Sequence, residues 1–400
     1  MTLPLIIYRS LRQHALSTVV TAGSIALASG LLMCVWTVKT QSETTFASTN
    51  MGFDAVLGAR GSKLQLVLNA IFDLESSPGN LAQSDYLYIK NHPAVKTAIP
   101  IAVGDNLRGY RIVGTIPELF NVEYAPGKHF ALVSGGKMFN PDAKEAVLGS
   151  FAAARLGLKV GDTFHPFHGL AFNPNEQHTD IYTVTAILEP SNTPVDRVVW
   201  IPIHGLQTMS GHSAQYATDV SAVLIQLRAP TAGLMLDIMY NRQGNRLTFA
   251  YPVSAIISDL FSRISWFDRV LALVAYLVAL VAAGSVLASI YNSMSARRRD
   301  LAILRALGAK RRTIFGAVVA ESACIGALGS LVGFAIYFTL LTVVAGIVRD
   351  QTGVVLAIWA FHPVLILCPV GMTVLCAVGG MVPAFKAYRT PVADTLAPAS

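Results

Sequence analysis

Between Phe164 and Asp180 the chain reads FHPFHGLAFNPNEQHTD, which gathers three imidazoles (His165, His168, His178) and two carboxylates (Glu176, Asp180) in a sequence with only nine histidines. His204 and His212 follow after two strand-like runs. Neutral imidazoles beside carboxylates form a donor set suited to zinc, and an H-x-x-H pair such as His165 and His168 can chelate from a turn. The spacing matches no strong zinc motif, so solvent-facing loop histidines are the competing reading, and only ligand type speaks for the metal. His165, His168, His178 and Glu176 are the candidate ligands, with His204 or His212 completing the shell.

Other chemistries find less support. No G-x-S-x-G elbow frames a nucleophile. The phosphate-binding pattern G-x-x-x-x-G-K-[ST] is absent, its nearest fragment being Gly58-Ala59-Arg60-Gly61-Ser62-Lys63 with the wrong spacing. That fragment reads as a glycine-rich turn before the amphipathic run LQLVLNAIFDL, with a backbone anion nest as the weaker alternative. The chain is expected to be non-catalytic, with no catalytic residue to name and any ATP hydrolysis left to a separate chain.

The elements that position these groups are dominated by membrane spans. Hydrophobic residues make up 53% of the 400 and charged residues 13%, far from the roughly 25% charge of soluble domains; mean hydropathy is +0.52. Four windows, 13–38, 270–296, 322–348 and 351–385, contain no Asp, Glu, Lys or Arg, and each exceeds the roughly 20 residues a helix needs to cross a bilayer. The expected fold is an α-helical membrane protein with four transmembrane helices (15–38, 270–292, 314–347, 362–384) and a large α+β extracytoplasmic domain between the first and second. The first span carries a basic flank, Arg9 and Arg12, and a cleavage-like Ala26-Leu27-Ala28, but its apolar run continues to Val38, which argues for an anchor over a signal peptide.

Between the second and third spans lies SMSARRRDLAILRALGAKRRTIF, a connector over 293–313 whose basic residues include Arg297, Arg298, Arg299 and Arg305 against the single acid Asp300. Positive charge of that density fixes the connector in the cytosol, so both termini, segments 1–14 and 385–400, are cytosolic too and 348–361 is an exterior loop. Within the connector Leu301, Leu304 and Leu307 recur at helical spacing and Gly308 stands where a helix would end. An apolar stripe there calls for a soluble partner lying against the membrane. The excess cationic charge faces anionic lipid, and nucleic acid is not implied.

Residues 39–269 make the exterior domain, read as short strands (95–103, 110–116, 181–188, 197–203, 222–227) alternating with helical stretches at 64–74 and 143–158. Its middle portion, about 104–212, holds most of the Gly, Pro and His and reads as an inserted subdomain. The cysteines Cys34, Cys324, Cys368 and Cys376 all fall in spans, leaving the exterior without a disulfide framework. Among Asp, Glu, Lys and Arg only Glu321 falls inside the spans, expected to snorkel or to pair with Lys310, Arg311 or Arg312. Gly326, Gly329 and Gly333 form a small-residue face for helix packing within the chain or for a dimer interface.

The connector, the glycine-spaced AESACIGALGSLVG (Ala320 to Gly333) and the closing VPAFKAYRTPVADTL (Val382 to Leu396) together resemble the permease family that contains FtsX, LolC/LolE and MacB. GSFAAARLGLKVGDTF (Gly149 to Phe164) is similar to a stretch of the same permeases. The resemblance implies an inner-membrane permease without a fused ATPase, paired with a second copy or a paralogue and bound to two ATP-binding-cassette subunits that carry ATP and Mg. Motion driven by those ATPases would be relayed through the helices to the exterior domain, in export or extraction of an outer-side substrate. Two alternatives stay open: an FtsX-like relay that controls a periplasmic hydrolase, and a zinc-handling permease. A periplasmic adaptor, a hydrolase or a metal carrier is the exterior partner under these readings.

Overall fold

The computed structural model describes residues 3–13, 15–48, 51–211, 218–296, 309–352 and 355–389. In chain order its helices are α1 (Leu3–Gln13), α2 (Ala15–Ser48), α3 (Lys63–Ala70), α4 (Gln83–Lys90), α5 (Ser150–Leu156), α6 (Ile203–Gln207), α7 (Pro230–Asp237), α8 (Val253–Ala296), α9 (Arg311–Thr352) and α10 (Val364–Arg389). The strands are β1 (Ala55–Ala59), β2 (Val95–Leu107), β3 (Tyr110–Thr115), β4 (Glu123–Ala125), β5 (Lys128–His129), β6 (Glu145–Leu148), β7 (Thr163–Phe164), β8 (Phe167–His168), β9 (Tyr182–Ile187), β10 (Val199–Pro202), β11 (Ala222–Leu227) and β12 (Leu247–Ala250). They divide into two units, one of Met1–Gln41, Ile264–Gly346 and Ala357–Ser400, the other of Ser42–Arg263 and Ile347–Leu356.

The first unit is helical. Among the described residues three helices are long and apolar enough to cross a membrane, Ala15–Ser42, Arg311–Thr352 and Val364–Phe385, and a shorter apolar stretch, Ala272–Ser285, lies in α8. Their shared core is built from Ile25, Met33, Ile325, Tyr337, Leu341 and Met372. With hydrocarbon outside and inside alike, van der Waals fit decides such packing, and small residues set it here. A Cβ on Gly326 would lie 2.9 Å from Cys376 Cβ of α10, and one on Gly329 would lie 2.7 Å from Ile25 Cβ of α2. Buried hydroxyls turn back on their own helix: Thr21 donates to the Ser17 carbonyl, Ser322 to Val318 and Ser330 to Gly326, at 2.8, 3.0 and 2.8 Å.

The second unit is α+β. Its main sheet runs β12-β1-β11-β2-β3-β10-β6-β9-β7, with β8 added to β2, and β4 and β5 form a separate hairpin. Most pairings are antiparallel; β10 with β3 and β6 with β9 are parallel. The long strand β2 is the pivot. Its first half pairs with β11, its second half with β3, and the β3 register slips between Val103 and Asp105, so Gly104 is the extra residue of a bulge. A bulge bends the strand and re-aims the side chain that follows it, here Asp105. One apolar core gathers Phe53, Leu66, Ile71, Phe120, Val195 and Trp200. There Phe120 meets both Phe139 and Trp200 edge-on, and the Trp200 indole donates to the Val195 carbonyl at 3.2 Å.

Local chemistry explains the element ends. Ser62 caps α3 with its hydroxyl 3.5 Å from the Gln65 amide; Gly58 and Ala59, expected in a turn, end β1, and the helix expected over 64–74 stops at Ala70. The helix expected over 143–158 is instead a strand and a helix, β6 and α5. Glu145–Leu148 runs between β10 and β9 with Ala146, Val147 and Leu148 buried, and Gly149 makes the break because a Cβ there would lie 2.5 Å from the Val195 carbonyl oxygen. Gly157 then closes α5 in the left-handed region at φ 69°.

Candidate functional site

The histidine-rich stretch folds as a short hairpin laid on β2. Asp105 pairs directly with His168 across the antiparallel β2 and β8, which places both side chains on one face. The chain turns back at Gly169, in the left-handed region at φ 81°, and returns to pair Phe167 with Gln177. The His168 amide donates to the Glu176 carbonyl at 2.8 Å and the His178 amide to the Pro166 carbonyl at 2.9 Å. Asn106 holds the turn from the strand side, its amide donating to the Gly169 carbonyl at 2.8 Å while its oxygen accepts from Gly109 at 3.0 Å.

Asp105, His168 and His178 thereby present one ligand atom each, all within 4.8 Å of one another. Asp105 Oδ1 lies 3.3 Å from His178 Nε2 and 3.5 Å from His168 Nδ1. Asp105 is fully buried, the His178 side chain is 5% exposed and the His168 side chain is 54% exposed. The other nitrogen of His178, Nδ1, sits 2.6 Å from the Ser210 carbonyl oxygen. Ser210 is fixed in turn by Asp180, which accepts from its amide at 2.8 Å and from its hydroxyl at 2.5 Å and is paired with Lys144. Burial pushes the Asp180 carboxyl up, but the hydrogen bonds from Lys144 and Ser210 outweigh it and hold the group at about 2. A carboxylate that stays ionised keeps the Ser210 carbonyl aimed at His178. Beside His168 opens a cavity of about 320 Å³ lined also by Gly104, Gln207, Asp219 and Ser221.

Two of the four expected ligands meet, and two do not. His165 lies on the segment between β7 and β8, against a separate small cavity with Leu107 and Phe164. The Glu176 side chain is exposed, and the residue serves through its backbone carbonyl. His204 is exposed on α6, and His212 lies outside the described residues. Asp105 was missed from sequence because it stands about sixty positions before the histidines; its only local signal is the Val-Gly-Asp-Asn break in an otherwise apolar strand.

In the helical unit, the Ser10 hydroxyl of α1 donates to Glu321 Oε1 of α9. Gly326, Gly329 and Gly333 face α10 and α2 of the same chain. The stretch that holds Arg297, Arg298, Arg299, Leu301, Leu304, Arg305, Leu307 and Gly308 lies outside the described residues.

Comparison with known proteins gives two family matches. The MacB-like periplasmic core domain matches residues 15–233, and the FtsX-like permease C-terminal domain matches residues 272–392. No curated protein matches at a significant level. Among solved structures, the extracellular domain of the noncanonic ABC-type transporter YknZ from Gram-positive bacteria is 14% identical, covers 49% of this chain and 99% of its own, and has a TM-score of 0.32. The periplasmic region of MacB from Actinobacillus actinomycetemcomitans is 11% identical, covers 53% of this chain and 93% of its own, and has a TM-score of 0.33. With one family domain spanning more than half the chain and the second covering most of the remainder in the same order, the chain belongs to the FtsX/MacB-type ABC transporter permeases.

Proposed function

We propose that this chain is the permease subunit of an ATP-binding-cassette complex and relays ATPase-driven motion across the inner membrane to its periplasmic domain, moving or extracting a substrate on the outer side. The observation that carries the reading is the order of the two family domains, with the basic connector inside the second. Membership implies an ABC ATPase partner. Four spans with cytosolic termini, a second permease copy or paralogue, and a non-catalytic role complete the proposal. The stretch Ala272–Ser285 of α8 would supply the fourth span.

Packing supports a mechanical role over a conduit. Thr21, Ser322 and Ser330 spend their hydroxyls on their own helices, and Glu321 is the single carboxylate within the expected spans. Residues 347–356 belong to the exterior unit, where Asp350 pairs with Arg155 at 2.5 Å and Arg349 stacks 5.3 Å from the Phe151 ring centroid. The ion pair is half-exposed and worth little alone; with the cation–π contact it gives the end of α9 a defined seat.

The connector is the proposed dock for the ATPase, its Leu301, Leu304 and Leu307 stripe entering a groove on the partner beside the arginines. Replacing Leu304 and Leu307 together by Asp is expected to abolish co-purification of the ATPase while the permease still inserts. A double variant that keeps full ATPase binding and coupled hydrolysis refutes the docking assignment.

A further inference from the structure

We propose that Asp105, His168 and His178 form an exchangeable site for a divalent transition-metal cation, zinc by ligand type, on the periplasmic domain. This goes beyond the permease reading and does not rest on it. The argument begins at Ser210, whose carbonyl oxygen can only accept a hydrogen bond. At 2.6 Å from it, His178 Nδ1 must carry the proton. In a neutral imidazole Nε2 then offers a lone pair, and that lone pair points at Asp105 Oδ1 from 3.3 Å. Two acceptors facing each other in a buried place need a cation between them, either a second proton on His178 or a metal.

Distance favours the metal. A charge-assisted N–H to carboxylate bond closes to about 2.7–2.9 Å, whereas ligand atoms sharing a tetrahedral zinc at bonds of about 2.0–2.2 Å stand about 3.3–3.5 Å apart. The two separations from Asp105 Oδ1, 3.3 Å to His178 and 3.5 Å to His168, are the second kind. The surroundings are those of a supported ligand as well: a histidine that binds metal through one nitrogen characteristically donates from the other to a carbonyl or carboxylate. Here the Ser210 carbonyl does this, itself held by Asp180.

Among the described residues three protein ligands converge, one fewer than the four of a closed structural zinc site. His168 is the exposed ligand and borders the cavity of about 320 Å³, so the site has an entry route on that side. The cation is therefore one the domain can accept and give up. Loading would also tie the hairpin after β8 to the bulge in β2, joining the ligand state of this face to the pivot strand of the sheet.

The test uses the untagged full-length protein in detergent, stripped with chelator and titrated with zinc against a chromophoric competitor. Cobalt(II) is titrated in parallel, because a tetrahedral site gives an intense visible band. Wild type is expected to take one equivalent per chain with the cobalt band. His168→Ala, an exposed position that should fold normally, is expected to lose the band and at least about tenfold in zinc affinity, the low end of the cost of altering even outer-shell partners. Asp105→Asn should do the same, and His204→Ala, outside the cluster, should bind as wild type. Less than one equivalent in wild type, or His168→Ala binding as tightly as wild type, overturns the proposal and leaves a protonated His178 paired with Asp105.

Discussion

Gly30 of α2 and Gly333 of α9 meet backbone to backbone: a Cβ added to Gly30 would lie 2.8 Å from the Gly333 carbonyl oxygen, and one added to Gly333 would run into the Ser29 hydroxyl. Replacing either glycine by Leu should force the helices apart and lower the melting temperature of the detergent-solubilised protein, at a cost of about 1–3 kcal/mol or more. Among the described residues, Gly284 and Gly371 have nothing within 4 Å of a built Cβ, so Ala there should be tolerated. Equal tolerance at all four positions would show that the close approach does not set the packing.

Asp73 predicts a pH dependence for the periplasmic domain. Burial pushes its carboxyl up to about 7 while Arg111 and Arg197 pull it down. Between the ordinary carboxylate range and about 7 the folded state holds a proton that the unfolded chain has released. Stability from this group is therefore complete at the acid end, falls as pH rises through that window, and is flat above it. Asp73→Asn, which mimics the protonated form, should gain on wild type as pH rises from about 4 to 7. Thermal unfolding curves that differ by a constant across that range would remove Asp73 as the cause.

Much of this architecture is legible in the residues themselves. Charge-free windows announce the helices of the membrane unit by length and composition, and β-branched runs such as VKTAIPIAV and IYTVTAIL announce β2 and β9, the second by its alternating burial. The site is legible only in part. His168 and His178 stand out by type, but their third partner is chosen by sheet register, a long-range property with no local signature. The strand hidden in 143–158 was misread for a related reason: Glu-Ala-Val-Leu suits a helix as well as a strand, and only the close approach of the Val195–Asp196 backbone to Gly149 decides it.

That approach yields the next prediction. Gly149→Ala would drive a methyl into the backbone at Val195 and Asp196, where Asp196 is already fixed by hydrogen bonds from the Ser191 and Asn192 amides. The turn has no side-chain end that can swing away, so the variant should destabilise the periplasmic domain by about 2 kcal/mol or more. Protease resistance of this domain in the full-length protein reads the effect. Wild-type resistance would mean that the two segments separate without cost.

The seat of α9 can be tested apart from assembly. Asp350→Asn removes the charge partner of Arg155, and Phe151→Leu removes the ring beneath Arg349. Asp350→Asn alone is expected to cost under about 1 kcal/mol, as exposed pairs do, and Phe151→Leu somewhat more, because Phe151 is buried and also packs against Tyr110. Combined, they should weaken stimulation of the partner's ATP hydrolysis by the reconstituted permease while leaving ATPase co-purification intact. Unchanged stimulation would place the transmission elsewhere.

Glu321 distinguishes a packed bundle from a pathway. The Ser10 hydroxyl donates to its carboxylate, and a glutamine keeps an oxygen in place to accept that bond while giving up the charge. If the helices only deliver motion, Glu321→Gln should assemble with the ATPase and lose no more than a fewfold of coupled activity. Glu321→Leu, which removes the acceptor of that bond, should lose more and lower stability. A carboxylate that carried protons or substrate would behave otherwise. Glu321→Gln would then be inactive with its ATPase still bound, and the pH profile of the remaining turnover would shift. Reconstituted complexes assayed across a range of pH separate the two outcomes, since packing loss lowers activity at every pH alike.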